Sequence, residues 1–255
     1  MLTVRDLSVT AGGAKIINEV SFDASPGEIV GILGPNGSGK STLIKTMLGL
    51  ITRRSGKVIY DGKDLSSLNP KNRASLFSYV PQNCAQNSLY TVLECVVMGR
   101  YPYLRRFEHY GAEDIQTALT SLKRVGLSGF EYRIISTLSG GEAARAACAR
   151  AITQDAPVML LDEPTSALDP KHSIGMTSLL RELADEGRLI ILSLHDINLA
   201  INHTDRLILL KCGCVFGKTR SRMVDEVMLG GLYGIPWEIW SVGGGEKRVA
   251  IPGKI

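Results

Sequence analysis

Two stretches of this 255-residue chain carry residue types that can handle phosphate. Gly34-Pro35-Asn36-Gly37-Ser38-Gly39-Lys40-Ser41, followed by Thr42, fits the pattern G-x-x-x-x-G-K-[ST]. Glycines at this spacing let the backbone wrap closely around phosphate oxygens with its amide hydrogens turned inward. A helix starting here adds free N–H donors and a favourable dipole. Lys40 can neutralise β/γ-phosphate charge, and the Ser41 hydroxyl can ligate Mg²⁺. The second stretch is Val158-Met159-Leu160-Leu161-Asp162-Glu163. Four apolar residues set Asp162 at a strand end, where it can reach Mg²⁺ through water. Glu163 follows as the natural general base for an attacking water. Alone, each stretch has a plainer explanation, a Gly-rich strand-to-helix turn and an acidic turn. Together in one chain they point to nucleotide hydrolysis.

A third stretch, Leu138-Ser139-Gly140-Gly141-Glu142, precedes an alanine-rich helical run to Ala151 and offers a second helix N-terminus for an anion. Ser166-Ala167-Leu168-Asp169 follows Glu163, and His195-Asp196 ends another apolar run. His195 alone could be a histidine that merely satisfies a backbone group, and Gln82 alone a polar loop residue.

The elements that must position these residues show in the apolar pattern. Ile29–Leu33, Val158–Leu161 and Leu189–Leu194 are continuous apolar runs, as expected of strands buried on both faces. Leu2–Val4 with Leu7–Val9, then Val20–Phe22, predict two N-terminal strands. Helical spacing is visible at Ile115, Leu119, Leu122 and Val125, and again at Met176, Leu179, Leu180 and Leu183. Buried strands separated by helices predict an α/β layered core with parallel strands. The middle, about 83–155, has helical patterns, loops rich in Gly, Tyr and Arg, and no convincing buried strand, so it is expected to be an inserted helical subdomain. The predicted domains are a nucleotide-binding unit over 1–220 and a C-terminal extension over 221–255. Within the extension, Ile235–Trp240 suits either a strand or a loop.

Composition narrows the classes. Lys+Arg 29 against Asp+Glu 25 leaves a net charge of +4, too mild and too evenly spread to indicate nucleic acid or an acidic membrane surface. The Arg100, Arg105 and Arg106 cluster with Tyr101 and Tyr103 suits a protein-docking loop or a solvated face better than a nucleic-acid patch. Five scattered cysteines, Cys84, Cys95, Cys148, Cys212 and Cys214, give no disulfide framework and favour a reducing compartment. Cys212-Gly213-Cys214 lacks the four ligands of a zinc site and is expected to be a turn between two short strands. MLTVRDLSVT has no apolar signal-peptide run, and no stretch reaches the ~18 apolar residues of a spanning helix. A soluble protein is expected, with any membrane role exercised through a partner.

Over about residues 1–220 the combination resembles the ATP-binding cassette (ABC) family. Residues 34–42 match its Walker A motif, Val158–Glu163 its Walker B motif and Leu138–Glu142 its signature. Gln82, in Tyr79-Val80-Pro81-Gln82, matches the Q-loop glutamine, Ser166–Asp169 the D-loop and His195 the switch histidine. The resemblance implies a P-loop NTPase core of α/β class: a mixed sheet with flanking helices, an N-terminal antiparallel β portion and an inserted α-helical signature subdomain. It implies ATP and Mg²⁺ as cofactors, with Ser41, Gln82 and Asp162 around the metal and Glu163, His195 and Gln82 catalytic. Residues 34–42, Ser139, Gly140, Gly141, Glu142 and Asp169 would contact nucleotide. Two copies would pair head to tail, each ATP lying between one copy's Walker A and the other's signature.

Met98-Gly99-Arg100-Tyr101-Pro102-Tyr103, His195–Ala200 and Leu232–Ile235 are similar to stretches of importers for iron chelates, haem and cobalamin. That similarity implies an integral-membrane permease dimer and, indirectly, a substrate-binding protein as partners, with the chain peripheral at the cytoplasmic face of the inner membrane. Gly99–Tyr103 could also be a plain surface loop whose aromatics pack locally. Other possibilities are an importer of an oxyanion such as molybdate or tungstate, and a soluble cassette of translation or DNA repair. Single Walker A and the absence of sustained heptads between Lys40 and Leu138 speak against the soluble cassettes, and intact Lys40, Asp162, Glu163 and His195 against a dead regulatory cassette. Two departures stand out. Many members have an adenine-stacking aromatic near Thr10-Ala11, and polar residues where Ala143 and Ala144 stand.

Overall fold

The computed structural model describes residues 1–82, 89–245 and 247–254; Cys84 and the start of the expected helical subdomain lie outside the described residues. In chain order the elements are β1 (Leu2–Ala11), β2 (Ala14–Ala24), β3 (Ile29–Leu33), α1 (Lys40–Met47), β4 (Ser55–Tyr60), β5 (Lys63–Asp64), α2 (Pro70–Ala74), β6 (Phe77–Val80), α3 (Val92–Val97) and α4 (Ala112–Arg124). There follow α5 (Gly140–Thr153), β7 (Val158–Asp162), α6 (Pro170–Asp185), β8 (Leu189–Leu194), α7 (Ile197–His203), β9 (Arg206–Lys211), β10 (Cys214–Arg220), α8 (Glu226–Tyr233), β11 (Trp237–Val242) and β12 (Lys247–Pro252). The fold is mixed α/β, with parallel strands and helices in alternation. The chain divides into two compact units, one formed by Met1–Ser67 with Leu189–Ile255, the other by Leu68–Arg188.

The first unit has two sheets that lead to the phosphate loop. β1 pairs antiparallel with β2 and with β4, and β5 extends the edge. β3 pairs parallel with β8 on one side and with β9 on the other. All five residues of β3 and all six of β8 are buried, as continuous apolar runs require. Fully burying each aliphatic side chain is worth about 1.5–3 kcal/mol, so the strand that delivers the loop is firmly held. The Ile29 N–H donates to the Asp205 carboxylate at 2.7 Å and the Asp205 N–H to the Ile29 carbonyl at 2.8 Å, fixing the register of β3 against β9 at its start. The tail belongs to this unit. Ile235–Trp240, open to either description from sequence, contains the start of β11, which pairs antiparallel with β12. Asn198 and Asn202 of α7 bond the backbone of Ala250 and Arg248, anchoring this hairpin.

The second unit holds the helical stretch. β6 and β7 pair parallel, and every residue of β7 is buried. α3, α4 and α5 pack on one another. Gly99 lets the 98–103 turn approach α5 closely: a Cβ there would lie 2.4 Å from the Arg150 carbonyl oxygen. The helix expected from Ile115, Leu119, Leu122 and Val125 is α4, but its inward face is rotated. Leu122 and Val125 are buried and Leu119 partly so, but Ile115 is exposed, and Ala118 and Ser121 complete the inward face. On α6 the predicted stripe of Met176, Leu179, Leu180 and Leu183 is buried throughout. Among the described residues no helix is long and apolar enough to cross a membrane.

Candidate active site

The phosphate loop lies between β3 and α1. Gly34 leaves β3 against β9, where a Cβ would sit 2.0 Å from the Leu210 carbonyl oxygen, so no residue but glycine fits. Gly39 caps α1 in the left-handed conformation, with φ of 102°, and its carbonyl accepts from the Leu43 N–H at 2.8 Å. Lys40 is buried, and its Nζ donates to the carbonyls of Gly34 at 2.8 Å and Pro35 at 3.2 Å, closing the loop on itself. Ser38 is also buried, and its Oγ has no hydrogen-bond partner among the described residues. A buried hydroxyl with nothing to bond is costly unless a ligand satisfies it. A loop holding one buried ammonium and one unsatisfied hydroxyl has donors that a phosphate chain needs. From behind, the Gly213 N–H donates to the Ser38 carbonyl at 3.1 Å. His195 stands exposed one residue beyond β8 in this same unit.

In the second unit the carboxylates stand where the apolar run places them. Asp162 is the last residue of β7 and is buried, with 1% exposure. Glu163 follows at 9% exposure with φ of 52°, left-handed backbone that disfavours a side chain. Such geometry persists where surrounding bonds enforce it. Here the Glu163 carbonyl accepts from the Ser166 N–H at 3.2 Å and the Ser166 hydroxyl at 2.9 Å, so the 166–169 turn clamps it. Gln82, two residues past β6, donates from Nε2 to Glu163 Oε2 at 2.6 Å. The structure therefore brings together two residues 81 positions apart that sequence singled out separately.

The 138–142 stretch opens α5, with Ser139 as N-cap. The Ser139 hydroxyl accepts from the Glu142 N–H at 3.3 Å, and the Ser139 N–H donates to Glu142 Oε2 at 2.8 Å. This reciprocal cap satisfies two orphan helix donors. The same amide bond from Ser139 holds the Glu142 carboxyl below its ordinary range. Gly140 and Gly141 lie against the following turn: a Cβ on Gly141 would meet the Ala167 carbonyl oxygen at 3.3 Å. Asp169 caps α6, accepting from the His172 N–H at 2.8 Å, and that bond holds its carboxyl below the usual carboxylate range. Sequence offered no sign of the side-chain contact between Asp169 and His172 Nδ1 at 2.9 Å; capping spacing alone suggests the backbone contact. Ala143, where a polar side chain was the family expectation, is buried, so alanine there packs rather than reaches outward.

Gly99–Tyr103 forms a 3₁₀ turn. Arg100 stacks over the Tyr103 ring at 4.4 Å and pairs with Asp114 at 3.0 Å, and the Tyr103 hydroxyl donates to the Gln154 carbonyl at 2.8 Å. Tyr101 instead points outward, 68% exposed. The stretch thus combines local packing with one free aromatic. No group of three or more metal-ligating side chains occurs among the described residues, and Cys212-Gly213-Cys214 is the turn between β9 and β10.

Comparison with known proteins agrees with this geometry. The family model described as ABC transporter matches residues 17–166. The cobalamin import ATP-binding protein of Halobacterium salinarum is 38% identical over 232 residues, 89% of this chain. The chain spans only 57% of that relative's length. The hemin import ATP-binding protein of Methylobacillus flagellatus is 38% identical over 237 residues, covering 89% of this chain and 84% of the relative. Among solved structures, an inward-facing ABC transporter of metal-chelate type superimposes with a TM-score of 0.86 at 28% identity, over 99% of this chain and 97% of that one. The cassette MJ0796, dimeric and bound to ADP and phosphate after hydrolysis, gives 0.78 at 31% identity over 88% of this chain and 100% of its own. A family match over more than half the chain, and relatives sharing more than a third of their residues along most of it, establish that this chain belongs to the ABC transporter family.

Proposed function

We propose that this chain is the ATP-binding and ATP-hydrolysing subunit of a prokaryotic importer that takes up a metal chelate of the iron-siderophore, haem or cobalamin type through a partner permease. One observation carries the hydrolytic part: Gln82 holds the carboxylate of Glu163 at 2.6 Å immediately after a buried strand ending in Asp162. A base fixed in this way is positioned to take a proton from water. Support for import comes from the relatives, which are named for cobalamin and hemin import, and from the metal-chelate type transporter.

In this proposal the amides of residues 34–42 and the Ser38 hydroxyl grip the triphosphate, while Lys40 neutralises its β/γ charge. Ser41, Gln82 and Asp162 would hold Mg²⁺, which screens phosphate charge when bound. Oxygen donors of a hydroxyl, an amide and a carboxylate suit that hard cation. Glu163 draws the proton from the attacking water, Gln82 orients Glu163, and His195 contacts the γ-phosphate. Ser139, Gly140, Gly141, Glu142 and Asp169 serve a nucleotide held by a second copy paired head to tail. The chain then works peripherally at the cytoplasmic face of the inner membrane, docked on a permease dimer that receives cargo from a substrate-binding protein. Exposed Tyr101 lies at the docking surface.

Calorimetry on the Lys40→Ala variant tests the nucleotide site: tight ATP binding should disappear, and parental affinity would refute the role given to the loop. Cross-linking from Tyr101 in membranes should capture an integral-membrane protein; recovery of none would count against the importer.

A further inference from the structure

We propose that the Cys212-Gly213-Cys214 turn is a thiol–disulfide modification site whose closure weakens the phosphate loop's hold on nucleotide. The inference rests on the assignment of residues 34–42 as the ATP phosphate loop. β9 and β10 are joined by a two-residue turn in which Lys211 pairs with Cys214. Its central residues, Cys212 and Gly213, have φ of 48° and 77°. Such a turn favours Asn, Asp or Gly at both positions, so a cysteine at the first goes against local preference. A residue that breaks a local rule without a packing gain marks a candidate functional position. Both thiols are exposed, whereas Cys148 is buried and Cys95 half-buried. Access is one of the two requirements for thiol reactivity.

The turn is bonded to the loop it would control. Gly213 donates its N–H to the Ser38 carbonyl at 3.1 Å, and its own carbonyl accepts from the Asn18 N–H at 2.9 Å. A Cβ at Gly213 would lie 2.3 Å from the Ile16 carbonyl oxygen, so the peptide is wedged between β2 and the loop. Asn18 Nδ2 also donates to Cys214 Sγ at 3.6 Å. Two residues apart, the cysteine Cα atoms cannot be separated by more than about 7 Å, and a tight turn brings them within the span a disulfide bridges. Closing a ring across Gly213 resets the dihedral angles on both sides of the N–H that holds Ser38, and draws Cys214 Sγ away from Asn18.

The oxidant is a low-molecular-weight disulfide. One cysteine, as thiolate, attacks a sulfur of that disulfide and displaces its first thiol. The other cysteine, losing its proton, attacks the mixed disulfide and displaces the second. Two protons and two electrons leave the cysteine pair, and two small thiols are produced. A small ring of this kind is strained and therefore readily reduced again, the property of a regulatory rather than a structural disulfide.

The test uses the full chain treated with oxidised glutathione, followed by peptide mass mapping and ATP calorimetry. The expected product has a Cys212–Cys214 peptide lighter by two hydrogens. ATP should bind about three- to tenfold more weakly, the effect of one lost hydrogen bond, and dithiothreitol should restore it. The Cys212→Asn/Cys214→Ser variant, with a residue suited to the turn, should bind ATP like the reduced parent and ignore glutathione. A stable glutathione adduct without the ring, or a ring with unchanged affinity, would overturn the proposal. So would an equal loss of affinity in the double variant. Failure of the reduced parent to bind ATP would instead sink the loop assignment, and is read separately.

Discussion

Replacing Glu163 by Gln separates chemistry from folding. The amide keeps the side-chain length and still offers an oxygen to Gln82 Nε2, 2.6 Å from the present carboxylate. The bond changes from charge-assisted to neutral, a loss of about 1 kcal/mol. For a chain of this size that lowers the melting temperature by about 2–4 °C. The backbone at φ of 52° and the Ser166 bonds to the Glu163 carbonyl do not depend on the side-chain charge. Hydrolysis does depend on it. A positioned base contributes about 10²–10⁴-fold, equivalent to about 3–5 kcal/mol of barrier. The kinetic loss should therefore exceed the stability loss several-fold, while ATP affinity stays near parental, because the phosphate loop is unaltered. Phosphate release under saturating Mg-ATP measures the first quantity, thermal melting the second and calorimetry the third. Turnover within about threefold of the parent, with the protein folded and binding ATP, would refute Glu163 as the base.

Gly34→Ala should weaken ATP binding without unfolding the chain at room temperature, since a Cβ 2.0 Å from the Leu210 carbonyl oxygen must displace the loop from the end of β9; calorimetry with melting as a control decides, and unchanged affinity contradicts the cradle geometry. Burial pushes the Tyr233 hydroxyl up to about 12. A raised value means that the stability from burying the neutral phenol is complete below pH 10 and is lost as pH rises toward 12. Tyr233→Phe should therefore lose less stability than the parent between pH 9 and 11 in denaturant titrations, and parallel curves would show that burial does not hold this proton.

The buried strands were legible because β3, β7 and β8 are apolar at every position but their ends or a single small residue, a pattern few other elements produce. The phosphate loop was legible for a similar reason: its glycines and lysine answer to local geometry. β4 escaped notice because Ser55-Gly56-Lys57-Val58-Ile59-Tyr60 buries only Val58 fully, so it carries almost no hydrophobic period. Ile115 misled because helical spacing identifies a face but not which part of it a neighbour covers. The bond between Gln82 and Glu163, and that between Gly213 and Ser38, join distant parts of the chain through packing, and no local pattern encodes either.

The compact unit of Leu68–Arg188 interrupts the other one, whose halves are Met1–Ser67 and Leu189–Ile255. Vectorial synthesis therefore delivers the whole of Leu68–Arg188 before the second half of the other unit. β3 emerges early, but β8 and β9, the parallel neighbours on its two edges, follow only after that whole stretch. At ribosomal speeds of about 5–20 residues per second, that interval is roughly 10–30 s. During it a wholly apolar strand waits with both edges open, the condition that recruits chaperones or aggregates. Nascent chains stalled before Leu189 would hold β3 with neither of its parallel neighbours made.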